Sequence, residues 1–126
     1  MPLVQISLRE GKSDAYRRAI GESVHRAMVE TINVPALDRF QVITEHSQDS
    51  LIYDPTYLGI QRTDEVIFVQ ITLNAGRSTE QKRALYARTT ELLSKSPGVR
   101  PQDVVINLVE VARENWSFGN GQAQYA

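Results

Sequence analysis

The sequence predicts an α/β fold in which two pseudo-repeated β–α–β units form a four-stranded sheet with two helices on one face. Three observations predict it. The first is an internal repeat: "VQISLREGKSDAYRRAI" from Val4 aligns without a gap on "VQITLNAGRSTEQKRAL" from Val69, an offset of 65 residues. The second is the alternation of apolar and polar residues, rich in β-branched types, that opens each copy. The third is a shared order after it: a glycine, a serine, a helical stretch, a proline and another strand-like run.

Each element follows in order. "LVQISL" alternates and is the first strand. After Gly11, Ser13 stands where a helix N-cap belongs. The first helix should run from Asp14 to Ile32, with Tyr16, Ile20, Val24, Ala27 and Thr31 along one stripe. Pro35 closes the linker, and "RFQVITEH" is the second strand. Residues 47–63 read as an irregular excursion between the halves. "EVIFVQITL" is longer and more apolar, and reads as a strand buried on both faces. Gly76 precedes Ser78, which has capping-box spacing to Gln81. The second helix should run from Thr79 to Lys95, with Leu85, Leu92 and Leu93 inward. Pro101 closes the second linker, and "DVVINLVEV" is the last strand. A parallel β–α–β unit requires a right-handed crossover.

The expectation is one domain over residues 1–126, with halves at about 2–47 and 65–112 and an aromatic arm at 113–126. That tail, too aromatic for a disordered end, reads as a hairpin or an arm. Two helices on one face leave the other face bare, which calls for a further layer, most simply another subunit.

Composition narrows the function. The net charge is −1 and no basic stripe interleaves with aromatics, so a nucleic-acid partner has no support. With no cysteine, disulfides, thiolate metal sites and a cysteine nucleophile are excluded. No apolar run approaches the roughly 18 residues of a membrane span, and no signal peptide is visible, so a cytoplasmic protein is expected. His25 and His46 are too isolated for a metal site and read as structural. No cofactor is expected.

Candidate chemistry begins with "MPL". Removal of Met1 would leave Pro2 with a free secondary amine; alternatively, a proline there simply starts an edge strand. The repeat mate of Pro2 is Ile67, so the halves differ at this point. Asp38 is either an acid of the site or a turn residue, as its mate Asp103 suggests. Arg77 is either a substrate contact or a solvated cation beside a helix N-terminus, and its mate is Lys12. Spacing alone does not bring Pro2 and Arg77 together. Trp116 and Phe118 suit a pocket wall or a subunit contact. Arg62, in "GIQRTDE", is left outside the site.

The opening "MPL", the box "VPALDRFQ" with Asp38, "AGRSTEQK" with Arg77 and "NWSFGNGQAQY" with Trp116 and Phe118 carry a resemblance. Over nearly the whole chain the sequence resembles the tautomerase superfamily, and within it the malonate semialdehyde decarboxylase family. The resemblance implies a cofactor-free homotrimer. It makes Pro2 the catalytic amine and Asp38 an acidic partner that orients or activates water. It makes Arg77 the group that grips a carboxylate or polarises a carbonyl, and Trp116 and Phe118 the pocket lining. One position departs: some members carry a second arginine two places before the first, and here that place is Ala75.

The implied activity is decarboxylation of malonate semialdehyde, a small oxo acid, to acetaldehyde, with possible hydratase side activity. The alternatives are a keto–enol tautomerase for a phenylpyruvate-like substrate and a non-catalytic trimeric scaffold. Protonation of Pro2 separates the first two. An α-amine titrates near pH 8. A neutral amine is a base for tautomerisation, whereas an ammonium is an acid or a fixed charge for decarboxylation. A Schiff base between Pro2 and the aldehyde is a further route.

Overall fold

The computed structural model describes residues 2–126. The expected loss of Met1 concerns a residue outside the described ones. The chain forms β1 (Leu3–Arg9), α1 (Asp14–Ile32), β2 (Gln41–His46), β3 (Ile67–Asn74), α2 (Thr79–Lys95) and β4 (Val104–Val111), with short 3-10 turns at Tyr57–Gly59, Pro101–Asp103 and Arg113–Asn115. Both helices have the predicted bounds because their start signals work as read. Ser13 Oγ accepts the Tyr16 N–H at 3.1 Å, and Ser78 and Gln81 make a complete capping box. Asn33, at φ 59°, ends α1 in the left-handed region, with its N–H on Met28 O.

The sheet order is β2–β1–β3–β4. Within each unit the strands are parallel, with Val4 against Gln41 and Ile67 against Val104. The two units meet antiparallel through β1 and β3, with Leu3 against Thr72 and Leu8 against Ile67. This central pairing sets the start of β1 beside the end of β3.

Alternation builds the core. Val4, Ile6 and Leu8 of β1 and Ile67, Val69, Ile71 and Leu73 of β3 point to the helix layer and are buried. They meet Ile20, Val24, Ala27, Met28 and Ile32 of α1 and Leu85, Leu92 and Leu93 of α2. Met28 and Ile32 extend the expected stripe, while Tyr16 and Thr31 lie at its edges; the Thr31 hydroxyl donates back to Ala27 O at 2.7 Å. Gly21 of α1 lets the Gln41 side chain approach the helix closely. A Cβ there would lie 2.7 Å from Gln41 Oε1, and the Gln41 amide donates to Gly21 O at 2.8 Å.

The reading of β3 as buried on both faces is corrected. Phe68 and Thr72 are only half-buried and Gln70 is exposed, because no layer of this chain covers that side of the sheet. The open face also carries Gln5, Val42, Asn107 and Val109. The Gln70 amide donates to Asn107 Oδ1 at 2.9 Å across it.

The 47–63 excursion is irregular, as expected. Arg62 staples it by donating to the carbonyls of Asp54, Tyr57 and Ile60. The C-terminal segment is an arm rather than a hairpin: it adds no strand. Gln124 ties it by accepting from Phe118 N and donating to Gly119 O, both at 2.9 Å. Among the described residues, no helix is long and apolar enough to cross a membrane.

Candidate active site

Strand pairing brings the sequence candidates to one end of the sheet. Because β1 runs antiparallel to β3, Pro2 begins where β3 is ending, and Arg77 lies just past that end. Because β2 starts level with β1, the connection carrying Asp38 arrives at the same edge, and Val4 N–H donates to Phe40 O at 2.9 Å. Proximity thus comes from the antiparallel junction of the units, which spacing does not reveal.

Two adjoining cavities result. The larger, of about 470 Å³, is lined by Asp38 and Arg77 with Asn33, Asn74, Gln81, Arg113 and Tyr125 among others. The smaller, of about 240 Å³, is lined by Pro2, Leu3, Phe40, Trp116, Ser117 and Phe118 and is mainly apolar. They share a wall. Trp116 Nε1 donates to Asn74 Oδ1 at 2.7 Å, and Phe118 meets Tyr125 edge-on at 5.4 Å. Trp116 and Phe118 stack at 5.2 Å, and Phe40 lies 5.8 Å from Phe118. Pro2 itself is buried.

Arg77 is fixed by backbone. Its guanidinium donates to Asn74 O at 3.2 Å and to Ile32 O at 3.1 Å. Ile32 closes α1, where terminal carbonyls lack helical partners and the helix dipole favours a cation. The position before α2 is unfavourable for a cation, but the side chain reaches the opposite pole of another helix. Its mate Lys12 does something else: it pairs with Glu65 at the far end of the sheet.

Asp38 sits in the connection between α1 and β2, where its N–H donates to Pro35 O at 3.0 Å. His25 of α1 pins that connection, with Nε2 on Ala36 O at 2.8 Å; it is buried and structural, as read. Burial pushes the Asp38 carboxyl above its ordinary range, and the positive charge of the amino terminus, then that of His25, draws it partly back. Its mate Asp103 is tied into the fold. Asp103 is fully buried and accepts from Thr63 N and Thr63 Oγ1, each at 2.7 Å. Among the described residues, no group of three or more potential metal ligands occurs.

Asn33, Asn74, Arg113, Tyr125 and Phe40 escaped the sequence reading as site residues. Asn74 ends β3 and Arg113 follows β4, so their place depends on strand order. In the alignment of the repeats, Asn74 falls on Arg9 and gives no functional signal.

Two family models, both described as "Tautomerase enzyme", match residues 38–119 and 2–61. The chain is 46% identical to "Probable tautomerase YusQ" of Bacillus subtilis (strain 168), covering 98% of both chains. Among solved structures it is similar to FG41 malonate semialdehyde decarboxylase inhibited by 3-bromopropiolate, at 41% identity and TM-score 0.92 over 98% of this chain and 93% of that one. A second malonate semialdehyde decarboxylase, described as having decarboxylase and hydratase activities, matches at 34% identity and TM-score 0.92 over 98% and 95%. A fused 4-OT described as a symmetric trimer shares the fold at 22% identity and TM-score 0.79 over 98% and 97%. With family models and a relative of this identity spanning the chain, it belongs to the tautomerase family of enzymes.

Proposed function

We propose that the protein is a cofactor-free decarboxylase of a small 3-oxo acid, converting malonate semialdehyde to acetaldehyde and CO2 with Pro2 as an amino-terminal amine. The carrying observation is the shared wall: an apolar cavity with Pro2, Trp116 and Phe118 abuts a polar one with Arg77 and Asp38. Loss of Met1 is part of the proposal.

The chemistry follows from charge placement. Arg77 and a Pro2 ammonium polarise the substrate carbonyl. The C–C bond to the carboxylate breaks, its electron pair moves into an enolate held by those cations, and neutral CO2 leaves. The Pro2 ammonium then gives a proton to the former methylene carbon, forming acetaldehyde, and regains one from water. The apolar face of Trp116 and Phe118 disfavours the carboxylate and accepts CO2, and preorganised cations in a site shielded from water stabilise the enolate strongly. Asp38 orients water for hydration as a side activity.

A second reading, keto–enol tautomerisation of a phenylpyruvate-like substrate, is favoured by the tautomerase name of the 46% identical relative. It requires Pro2 neutral near pH 7. Turnover of both substrates, followed by NMR across pH 5–9, decides. Decarboxylation that falls as Pro2 deprotonates supports the proposal. Proline-dependent ketonisation that rises over the same range, without acetaldehyde, supports the second reading.

We also propose a homotrimer. The open sheet face carries Val42, Phe68 and Val109 without cover from this chain, and a solved protein of the same fold is described as a trimer. Sedimentation equilibrium tests it.

A further inference from the structure

We propose that Arg113 is a second anion-binding cation, which with Arg77 lets the larger cavity hold a dianion more tightly than a monoanion, one carboxylate of the dianion standing on Arg77 where the proposed substrate has its carbonyl. The inference rests on the reading of this cavity as the substrate site. Strand order places Arg113 there. β3 and β4 end level, with Asn74 against Val111, and Ala75 N–H donates to Val111 O at 3.0 Å. Arg113 therefore leaves β4 beside the Ala75–Arg77 turn and lines the same cavity as Arg77.

The charge in the cavity is unbalanced. Two guanidiniums face one carboxylate, Asp38, and the other polar side chains of its lining are neutral: Asn33, Asn74, Gln81 and Tyr125. Among the described residues, Arg113 has no ion pair and no side-chain hydrogen bond. Nearby Glu110 is engaged by Lys82 at 2.7 Å. The two cations also differ in kind. Arg77 is held by two backbone carbonyls and presents a fixed charge, whereas Arg113 stands exposed on a 3-10 turn with its donors uncommitted. A planar fork of N–H donors suits a carboxylate. Both guanidiniums line one cavity of about 470 Å³, which has room for a small diacid such as malonate.

The test uses the chain's single tryptophan, Trp116, which bonds to Asn74 of the cavity lining. Full-length protein, Arg113→Ala and Arg113→Lys are titrated with malonate, acetate and malonamide while Trp116 fluorescence is followed, with far-UV circular dichroism as the folding control. The parent should bind malonate more tightly than acetate and bind malonamide least. Arg113→Ala should weaken malonate binding about tenfold, the scale of one partly exposed charge-assisted contact. It should also flatten the salt dependence, with Arg113→Lys in between. Equal malonate affinity in the parent and a folded Arg113→Ala, or no malonate binding by the parent, overturns the inference. Acetaldehyde production is scored separately. Arg113-dependent malonate binding without decarboxylation removes only the proposed reaction. Decarboxylation with anion binding indifferent to Arg113 removes only this inference.

Discussion

The indole N–H of Trp116 donates to Asn74 Oδ1 at 2.7 Å, while the carbonyl of the same asparagine accepts from Arg77 at 3.2 Å. One residue at the end of β3 thus sets the apolar wall on one side and the fixed cation on the other. Replacing Asn74 with leucine keeps the backbone contact and strips Trp116 of its partner, at a cost of about 1–2 kcal/mol in stability. The Trp116 emission should shift and kcat/KM should fall about tenfold, because the wall loses its position relative to Arg77. Unchanged emission and kinetics would remove Asn74 from this role.

Arg77 bonds only backbone carbonyls in the described structure, so its loss should spare the fold and strike turnover. Arg77→Ala should lower kcat by about 10²–10³-fold, the effect of removing one group aimed at developing negative charge. Arg77→Lys should recover part of it, since a lysine keeps the charge without the fork. Steady-state kinetics beside thermal melts measure both.

Repeat mates offer a contrast. Asp103 accepts two bonds from Thr63 in full burial, so Asp103→Ala should destabilise the protein by about 3 kcal/mol through donors left unsatisfied. Asp38→Asn should act on activity instead. Urea denaturation and kinetics of both variants check the contrast: stability should fall for Asp103→Ala and turnover for Asp38→Asn.

The same substitution has a pH signature. Burial raises the folded-state pKa of Asp38 above its unfolded value, so the folded state favours the protonated form. That contribution to stability is fully present below the unfolded carboxylate pKa of about 3.9 and is lost as pH rises through the folded value. At pH 7 ionised Asp38 is therefore a burden on the fold. Asp38→Asn should be more stable than the parent there, with the difference shrinking as pH falls through the raised folded-state pKa and levelling off below about 4. Melting temperatures across pH 3–8 check the sign.

Much of this architecture was legible because local chemistry and the repeat agree. Ser13 and Ser78 cap where cap spacing says, and alternation in β1 names Val4, Ile6 and Leu8 as core. β3 misled the reading because half of its apolar run faces the uncovered side of the sheet, where burial depends on something beyond this chain. The candidate residues could be picked out in the sequence, but their coming together could not. Pro2, Asp38 and Arg77 stand out by type and resemblance, yet only the antiparallel junction of β1 and β3 brings their strand ends together. Arg113 and Asn74 carry no local signal at all; their places beside Arg77 come from which strands end side by side.

The most direct measurement is a proton NMR time course on malonate semialdehyde, with protein shown by intact mass to lack Met1 run beside Pro2→Ala. The account predicts acetaldehyde from the parent, at a rate at least about 10²-fold above the variant's, the lower range for a group that handles the proton or charge of the reaction. Equal rates from the two, or no acetaldehyde from the parent, would contradict it.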